Sequence, residues 1–425
     1  MKAESKPRNS KSISILHITP HLGGGVGKAH AALSAALPKD VAQTFLLLEE
    51  PRDRRYADLI AAAGADVVVA RDLGEVGAAA RAADIVQFEF WNHPRLFECF
   101  ARAEFPTMRT VFWSHVSGLF RPVIQPALIE AAGRFVFTTE ASLDIPSIAK
   151  LAALARSRIS VINSGFGFAD VPERAPREGA TPRIAYLGTV DFVKMHAGFF
   201  EAIDRLEGDD IRVSVWGDAD PEGAVAARAH AMNHPERVQF GGQTTAPVAA
   251  LSAADIFFYP LARDHYGTAE NALVEAMSLG LVPVVLDNPA EAAIVMDGET
   301  GFVARSIEEC TAILQKLLSS PELCERISRN AACYVARHKT PARSATAFAT
   351  LWQALSREPK TVYDFHRIVG DDPANWFLAT QCLPGERWHS EPTCADAPSK
   401  GTLAHFARTF PRDASLSRLA ELEGR

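Results

Sequence analysis

Short apolar runs rich in β-branched residues alternate with helical stretches along most of the chain. This alternation predicts parallel βαβ units, in which each strand is followed by a covering helix. A segment rich in Pro, Arg and Gly separates two such series. The predicted strands are Ser12–Ile18, Thr44–Leu48, Asp66–Val69, Asp84–Phe90, Thr110–His115, Arg134–Thr138 and Arg158–Asn163 in the first series, and Ile184–Leu187, Arg212–Trp216, Val238–Phe240, Asp255–Tyr259 and Leu281–Leu286 in the second.

The pattern predicts an α/β protein with two Rossmann-like domains that face each other across a cleft. Ligands of such folds bind at the carboxyl ends of the strands, so the cleft is the expected site. The last segment mixes Pro, Gly and aromatic residues without periodicity, which leaves open whether it is packed or disordered. The predicted division is a disordered N-terminus (1–11), a first domain (12–170), a linker (171–182), a second domain (183–340), a closing helix (341–356) and a C-terminal appendage (357–425).

Composition agrees with a soluble two-domain protein. The 425 residues are 48% hydrophobic and carry a formal net charge of −7, which argues against a nucleic-acid partner. Six cysteines without a CxxC motif indicate reduced thiols in the cytoplasm. No segment is long enough to be a transmembrane helix, although peripheral membrane association stays open.

Four tail residues could suggest zinc: Cys382, His389, Cys394 and His405. Their spacings match no zinc finger or zinc ribbon, so we expect them to be structural. No acidic cluster with metal-ligand spacing lies near the predicted cleft, and we expect neither a metal ion nor a cofactor.

The most informative segment, residues 257–288, is predicted to be a strand, a tight loop, a helix and a buried strand. The free N–H groups and the dipole of a helix start favour a bound phosphate. We expect Thr268 to be the N-cap and Asn271 and Glu275 to share one helix face. A buried Glu275 could hold ribose hydroxyls or simply be satisfied by nearby protein groups. The expected ligand-binding residues here are Gly267, Thr268, Ala269, Asn271 and Glu275.

A glycine-rich loop, Pro20–Lys28, follows the first strand and precedes a helix predicted to start near Ala29. The Walker pattern fails, because Ala29 stands where Ser or Thr should follow the lysine, and a dinucleotide fingerprint fits poorly. Gly24 and Gly25 could approach a ligand, or the loop could be an ordinary βα turn.

The second domain opens with a strand that directs Gly188 and Thr189 at the same cleft. Lys194 follows and could reach a diphosphate, or it could be an ordinary solvated lysine. In the first domain, His115 ends a strand at the cleft, where it could bind a sugar hydroxyl or be a core histidine bonded to backbone. Residues at the end of the preceding strand could line an acceptor site: Glu89, Trp91 and His93.

These motifs together resemble the retaining GT-B glycosyltransferases, of the group 1, family 4-like type. The resemblance covers residues 12–355 and is densest over residues 183–305. It includes Trp216-Gly217-Asp218, the run from Glu275 through Ala-Met-Ser-Leu-Gly, and Asp297-Gly-Glu-Thr-Gly-Phe-Val303. The resemblance implies a GT-B fold and a nucleoside-diphosphate-sugar donor.

The family's E-x7-E motif is only half present. Glu275 matches the second glutamate, which holds the donor ribose in that family, but Gly267 stands where the first should be. Glu270 could take the first glutamate's place near the donor sugar only with a shift of the loop. Thr189 replaces the family's arginine, so Lys194 would neutralise the diphosphate alone or with help from Arg263, Lys28 or the helix N-terminus. If the loop tolerates a carboxylate at position 267, Gly267→Glu should raise turnover.

The resemblance implies transfer of a hexose, with retention and without a metal, to a glycan, lipid-linked or small-molecule acceptor, as in polysaccharide biosynthesis. The leaving phosphate would take the acceptor's proton, and the expected catalytic residues are His115, Lys194 and Glu270. An alternative is a non-catalytic GT-B-like partner subunit, motivated by the replacements Gly267 and Thr189. A different nucleotide-using α/β enzyme, such as an epimerase or dehydrogenase, is a third hypothesis.

Overall fold

The computed structural model describes residues 12–165, 181–265, 267, 269–382 and 401–423. The predicted disordered N-terminus and most of the predicted linker (171–180) lie outside the described residues. So do three residues with predicted roles: Thr268, His389 and Cys394.

The first domain is built on one parallel sheet. Its strands are β1 (Ile13–Thr19), β2 (Val41–Leu47), β3 (Asp66–Val69), β4 (Ile85–Phe90), β5 (Thr110–Ser114), β6 (Arg134–Phe137) and β7 (Ile159–Val161). Its helices are α1 (Gly24–Ala36), α2 (Arg55–Ala62), α3 (Leu73–Ala82), α4 (Pro94–Arg102), α5 (Pro126–Ala131), α6 (Pro146–Ala149) and α7 (Ala153–Arg156). The spatial order is β3-β2-β1-β4-β5-β6-β7, and it reverses direction between β1 and β4. A reversal of this kind opens a crevice at the carboxyl ends of the two strands.

The second domain repeats the architecture. Its strands are β8 (Ile184–Leu187), β9 (Val213–Trp216), β10 (Val238–Gly242), β11 (Ile256–Tyr259), β12 (Val282–Leu286) and β13 (Phe302–Ala304), in the order β10-β9-β8-β11-β12-β13. Its helices are α8 (Phe199–Asp204), α9 (Ala224–His230), α10 (Pro247–Ser252), α11 (Asn271–Ser278), α12 (Pro289–Ala292), α13 (Ile307–Leu318) and α14 (Pro321–His338). All twelve predicted strands are confirmed, and β13 was missed.

Burial explains why these strands could be recognised. Every residue of β4, β11 and β12 is buried, as expected for parallel strands covered by helices on both faces. Helix α11 lies on the second sheet through Leu273, Ala276 and Met277, each 0% exposed. A rigid apolar base thus fixes the start of α11 at the cleft.

The chain then returns to the first domain. Helix α15 (Pro341–Leu355) packs against α1, and its Trp352 indole N–H donates to Gln87 Oε1 at 2.9 Å. The described part of the appendage contains α16 (His366–Val369), α17 (Pro373–Gln381), α18 (Leu403–Thr409) and α19 (Ala414–Glu423). Helices α16, α17 and α18 pack against α4, so this part of the tail is folded onto the first domain.

Within the described ranges, no helix combines the length and the apolar character that crossing a membrane requires. Among the described cysteines, Cys99, Cys310, Cys333 and Cys382 are free thiols.

Candidate functional site

A cleft of about 1100 Å³ lies between the carboxyl ends of the two sheets. Both domains line it. Of the predicted residues, the cleft brings together Gly24, Gly25, His115, Gly188, Thr189, Lys194, Gly267, Ala269, Glu270 and Asn271. Thr268 lies outside the described residues. Glu275 is not part of the lining; it is buried and paired with Lys28.

Helix α11 does not begin as predicted. It starts at Asn271, so Glu270, rather than Thr268, takes the N-cap position. Glu270 has φ 38° and ψ 57°, and among the described residues it is the one non-glycine with positive φ. This left-handed conformation costs about 1–3 kcal/mol and persists only where surrounding contacts hold it. It turns the Glu270 side chain back into the loop instead of along the helix.

The contacts that hold Glu270 are charged and buried. Its Oε2 accepts hydrogen bonds from the Tyr259 hydroxyl at 2.9 Å and from Lys194 Nζ at 3.1 Å. Burial alone would raise the pKa of Glu270, but Lys194 and His265 outweigh it and hold the pKa below its usual value. Burial and the Glu270 charge raise the pKa of Tyr259 well above its usual value, so Tyr259 is a hydroxyl donor at neutral pH.

Gly267 is required by this arrangement. A Cβ at position 267 would lie 1.9 Å from Glu270 Oε1 and 2.7 Å from His265 Nδ1. The condition attached to the Gly267→Glu prediction, that the loop tolerates the new side chain, is therefore not met by the loop in this conformation. The Glu270 carboxylate occupies the space that a side chain at position 267 would need. The Glu270 carboxylate therefore lies beside position 267, where the glycosyltransferase motif has its first glutamate.

His265 and Glu291 hold the loop that carries Gly267, and the sequence analysis singled out neither of them. His265 Nδ1 accepts the Gly267 N–H at 3.0 Å, and its Nε2 lies 2.9 Å from Glu291 Oε1. All the side chains involved are buried, and burial raises the pKa of Glu291. The local signal was the spacing of a histidine two residues before a glycine, which allows the ring to accept that backbone N–H.

The glycine-rich segment is helical, which corrects the predicted start near Ala29. Helix α1 begins at Gly24, and a Cβ at Gly25 would lie 2.9 Å from Asn271 Nδ2 of the other domain. The absence of a side chain at Gly25 therefore lets the two domains approach closely. One turn into α1, Lys28 Nζ donates to Glu275 Oε1 across the domain boundary. Burial raises the pKa of Glu275, and the Lys28 charge opposes that rise.

His115 is held by a buried carboxylate. Glu89, 0% exposed, lies 2.9 Å from His17 Nδ1, from His30 Nε2 and from His115 Nε2. Burial would raise the pKa of Glu89, but the histidines outweigh it and hold the pKa well below its usual value. The acceptor-site hypothesis placed Glu89 at the cleft, but Glu89 does not line it. Glu89 instead orients His115, and His115 lines the cleft.

The first-domain wall of the cleft contains residues that the sequence did not single out. Trp91 and His93 line it as expected, and His21, Glu49 and His405 lie beside them. His405 comes from α18 of the appendage, where it was expected to be only structural. These residues were missed because they are neighbours in space but not in the sequence.

Three groups of described residues place imidazole and carboxylate ligand atoms within 4.8 Å of one another. They are His17, His30 and Glu89; His21, Glu49 and His93; and His265, Glu270 and Glu291. No sequence spacing had indicated them. In the first and third groups the carboxylates already contact imidazole nitrogens, and Glu270 also contacts Lys194.

Comparison with known proteins agrees with this geometry. Residues 170–333 match the family model described as glycosyl transferases group 1. Solved structures with the same fold include HepE from Anabaena in complex with UDP and glucose (14% identity; 80% of this chain and 100% of that chain; TM-score 0.64) and a glycosyltransferase from Rickettsia africae (12%; 82% and 100%; 0.65). A third is sucrose-phosphate synthase from Thermosynechococcus elongatus (15%; 81% and 99%; 0.58). No curated protein matches the chain significantly. The two facing sheets have the GT-B fold of glycosyltransferases.

Proposed function

We propose that the chain is a retaining, metal-independent glycosyltransferase that moves a hexose from a nucleoside-diphosphate sugar to a hydroxyl acceptor. One observation carries the proposal. Lys194, Glu270 and the start of helix α11 converge at the cleft, in the domain whose sequence matches the glycosyltransferase family model. A cation and unpaired helix N–H groups at one point suit a diphosphate.

The donor nucleotide would lie along the second domain. Backbone N–H groups at Asn271 and Ala272 and the Lys194 ammonium face the diphosphate, and Glu275 accepts bonds from the ribose hydroxyls. Because Lys28 now pairs with Glu275, the ribose must displace it. The displaced ammonium, near the same helix start, can then offset part of the diphosphate charge.

Charge stabilisation of the leaving group is the main chemical task. As the bond between the sugar and the phosphate breaks, negative charge grows on the phosphate, where Lys194 and the α11 N–H groups stabilise it. The acceptor hydroxyl attacks from the same face, and its proton passes to the departing phosphate. Glu270 fixes the position of Lys194, and His115, oriented by Glu89, binds a hydroxyl of the donor sugar. In this step Lys194, Lys28 and the α11 N–H groups offset the phosphate charge without a metal ion.

The first experiment is a calorimetric and thermal-shift screen of the purified chain against UDP, GDP, ADP, TDP, their sugar conjugates and NAD. UDP heads the panel because the Anabaena relative was solved with it. Stabilisation by one nucleoside diphosphate, with its sugar conjugate slowly hydrolysed, is the expected result. NMR of the released or transferred sugar then reports whether the anomeric configuration is retained.

Two results would contradict the proposal. Binding of NAD alone would favour a dehydrogenase or epimerase. Nucleotide binding without any donor hydrolysis or transfer would favour the non-catalytic partner subunit.

A further inference from the structure

Three imidazole rings and a carboxylate meet on the first-domain wall of the cleft. His21 follows β1, Glu49 follows β2, His93 follows β4, and His405 lies in α18 of the appendage. The ring centroids of His21 and His93 are 5.6 Å apart, and those of His93 and His405 are 4.5 Å apart. We call these four residues the histidine wall.

Each ring of the histidine wall is fixed in the same tautomer. The Nδ1 atoms of His21, His93 and His405 accept backbone N–H groups at 3.0, 3.1 and 3.2 Å. Since an accepting Nδ1 carries no hydrogen, the hydrogen of each neutral ring lies on Nε2. Burial lowers the pKa of His93, and lowers those of His21 and His405 to about 4, so all three rings are neutral at pH 7.

The wall therefore presents N–H donors, which is the wrong arrangement for a metal ion. A metal binds the lone pair of one imidazole nitrogen while the other nitrogen keeps its hydrogen and donates it. Here Nδ1 is the acceptor, so Nε2 would have to lose its hydrogen to bind a metal. Nε2 of His93 is buried, has no hydrogen-bond partner among the described residues and lies 3.6 Å from Glu49 Oε1.

The charge around the wall argues against an anionic ligand. Glu49, Glu50 and Asp53 line this side of the cleft together with Arg52. Arg95 Nε is 4.0 Å from Glu49 Oε2, so Glu49 already compensates part of the Arg95 charge. A phosphate or carboxylate would meet more negative than positive charge on this wall.

Uncharged hydroxyl groups fit the wall better. A hydroxyl can accept a hydrogen bond from an imidazole N–H and donate one to the Glu49 carboxylate. The Trp91 ring, with its centroid 5.5 Å from that of His21, adds an aromatic surface suited to the apolar C–H face of a sugar. Neutral donors, one carboxylate and an aromatic ring together match a saccharide.

The appendage is locked onto this wall by specific contacts. Asn92 Nδ2 donates to Thr380 Oγ1 at 2.8 Å, and the Trp376 indole N–H donates to Asn92 Oδ1 at 3.0 Å. Gly401 has φ +72°, and a Cβ there would lie 2.1 Å from the Asn92 carbonyl oxygen. The tail is therefore held by the β4–α4 loop, the loop that also carries His93, and this places His405 at the cleft.

We propose that the histidine wall binds the acceptor as an uncharged saccharide and that the C-terminal appendage completes this site with His405. The inference rests on the proposed glycosyltransferase function and specifies its acceptor class. It also gives the appendage a role in substrate binding.

The test uses the full chain saturated with the nucleoside diphosphate found in the screen. Saturation-transfer NMR compares methyl glucoside, galactoside and mannoside with the corresponding hexose 6-phosphates and hexuronic acids at equal concentration. The variants are His405→Ala and Glu49→Gln. The matched controls are His366→Ala, an exposed histidine of the same appendage, and Glu130→Gln, an exposed glutamate of the first domain.

We expect a neutral glycoside to bind and its charged analogues to bind at least about tenfold more weakly. Each variant should weaken glycoside binding about tenfold through the lost hydrogen bonds, with nucleotide affinity unchanged and both controls like the wild type. Preference for the charged analogues, glycoside binding indifferent to both variants, or nucleotide binding without any saccharide binding would each overturn the inference. Failure of nucleotide binding itself would instead overturn the proposed function.

Discussion

The two walls of the cleft use their polar side chains in opposite ways. At the second-domain wall and directly behind it, buried carboxylates face cationic or imidazole partners: Lys194 with Glu270, His265 with Glu291, and Lys28 with Glu275. On the first-domain wall, neutral imidazoles are fixed by backbone N–H groups and present hydrogen-bond donors. The second-domain side therefore holds paired charges, and the first-domain wall offers neutral hydrogen-bond donors.

The difference teaches how one cleft can accept two chemically unlike substrates. An ion pair can be exchanged for a ligand, because a diphosphate or a ribose replaces one partner and the other gains a new contact. A ring fixed by the backbone cannot rearrange, so it selects by shape and hydrogen-bond direction. The predictions below test each half of that contrast.

The largest effect is expected at Glu275. Glu275→Ala removes the carboxylate that would hold two ribose hydroxyls, each through a charge-assisted bond, so nucleotide affinity should fall by about 100-fold or more. Calorimetric titration with the nucleoside diphosphate measures it. The control is Glu325→Ala on the exposed face of α14. Unchanged nucleotide affinity in Glu275→Ala would mean that the Lys28–Glu275 pair only joins the domains.

Lys194 tests whether the second-domain wall binds the diphosphate through its charge. Lys194→Ala should weaken diphosphate binding by about 1.5–3 kcal/mol, roughly 10- to 150-fold, because a charge-assisted contact is lost. The same titration with the free nucleoside should show little change, since the nucleoside lacks the diphosphate. Lys316→Ala, on the exposed side of α13, is the control. Equal losses for nucleoside and nucleoside diphosphate would place Lys194 away from the phosphates.

A smaller effect, on stability, is expected at Gly267. Gly267→Glu should lower the free energy of unfolding by about 1–3 kcal/mol, because the new Cβ overlaps the Glu270 carboxylate. Combining it with Glu270→Ala removes the closest overlap but leaves the contact between the new Cβ and His265, so it should restore only part of that stability. Urea unfolding of the two single variants and the double variant measures the coupling. Additive losses would show that the carboxylate does not occupy the place of a side chain at position 267.

The fold could be predicted because its strands are continuous apolar runs buried on both faces. Such runs stand out from the amphipathic helices between them, and all twelve predicted strands exist. Strand β13, Phe302–Ala304, was missed because three residues carry too little pattern. The start of α1 was misplaced because a run of glycines indicates a loop by composition, whereas Gly24 and Gly25 form its first turn.

The site was less predictable, since its geometry depends on backbone turns and long-range packing. Spacing rules assume regular helices, so they could not anticipate that Glu270 adopts a left-handed conformation and turns back toward Gly267. His405 was considered only as a zinc ligand and gave no signal of a place at the cleft, because that place arises only when the appendage packs against the loop that carries His93. Residues that directly follow strands, such as Gly188 and His115, were found, because parallel strands carry their carboxyl ends to one edge.

The last prediction separates the two walls by their pH dependence. The folded-state pKa values of His21 and His405 are about 4, against an ordinary value of 6.5. As the pH falls, these two residues therefore take up protons in the unfolded chain before they do so in the folded chain. Their contribution to stability is therefore present at neutral pH and is lost as the pH falls from about 6.5 toward 4. Glu270 behaves differently: its lowered pKa gives stability that is present above 4.5 and lost only at lower pH.

Urea unfolding at pH 7, 6, 5 and 4.5 measures this difference. The wild type should lose stability steadily over that range, and the double variant His21→Gln, His405→Gln should have a flatter profile. His366→Gln, an exposed histidine of the appendage, should keep the wild-type slope. If the double variant keeps the full slope, the acid-sensitive groups are other buried histidines, such as His17 and His115 beside Glu89, whose pKa values burial also lowers. The acid sensitivity of the first domain would then come from the buried histidines around Glu89, beneath the surface that faces the acceptor, and not from His21 and His405.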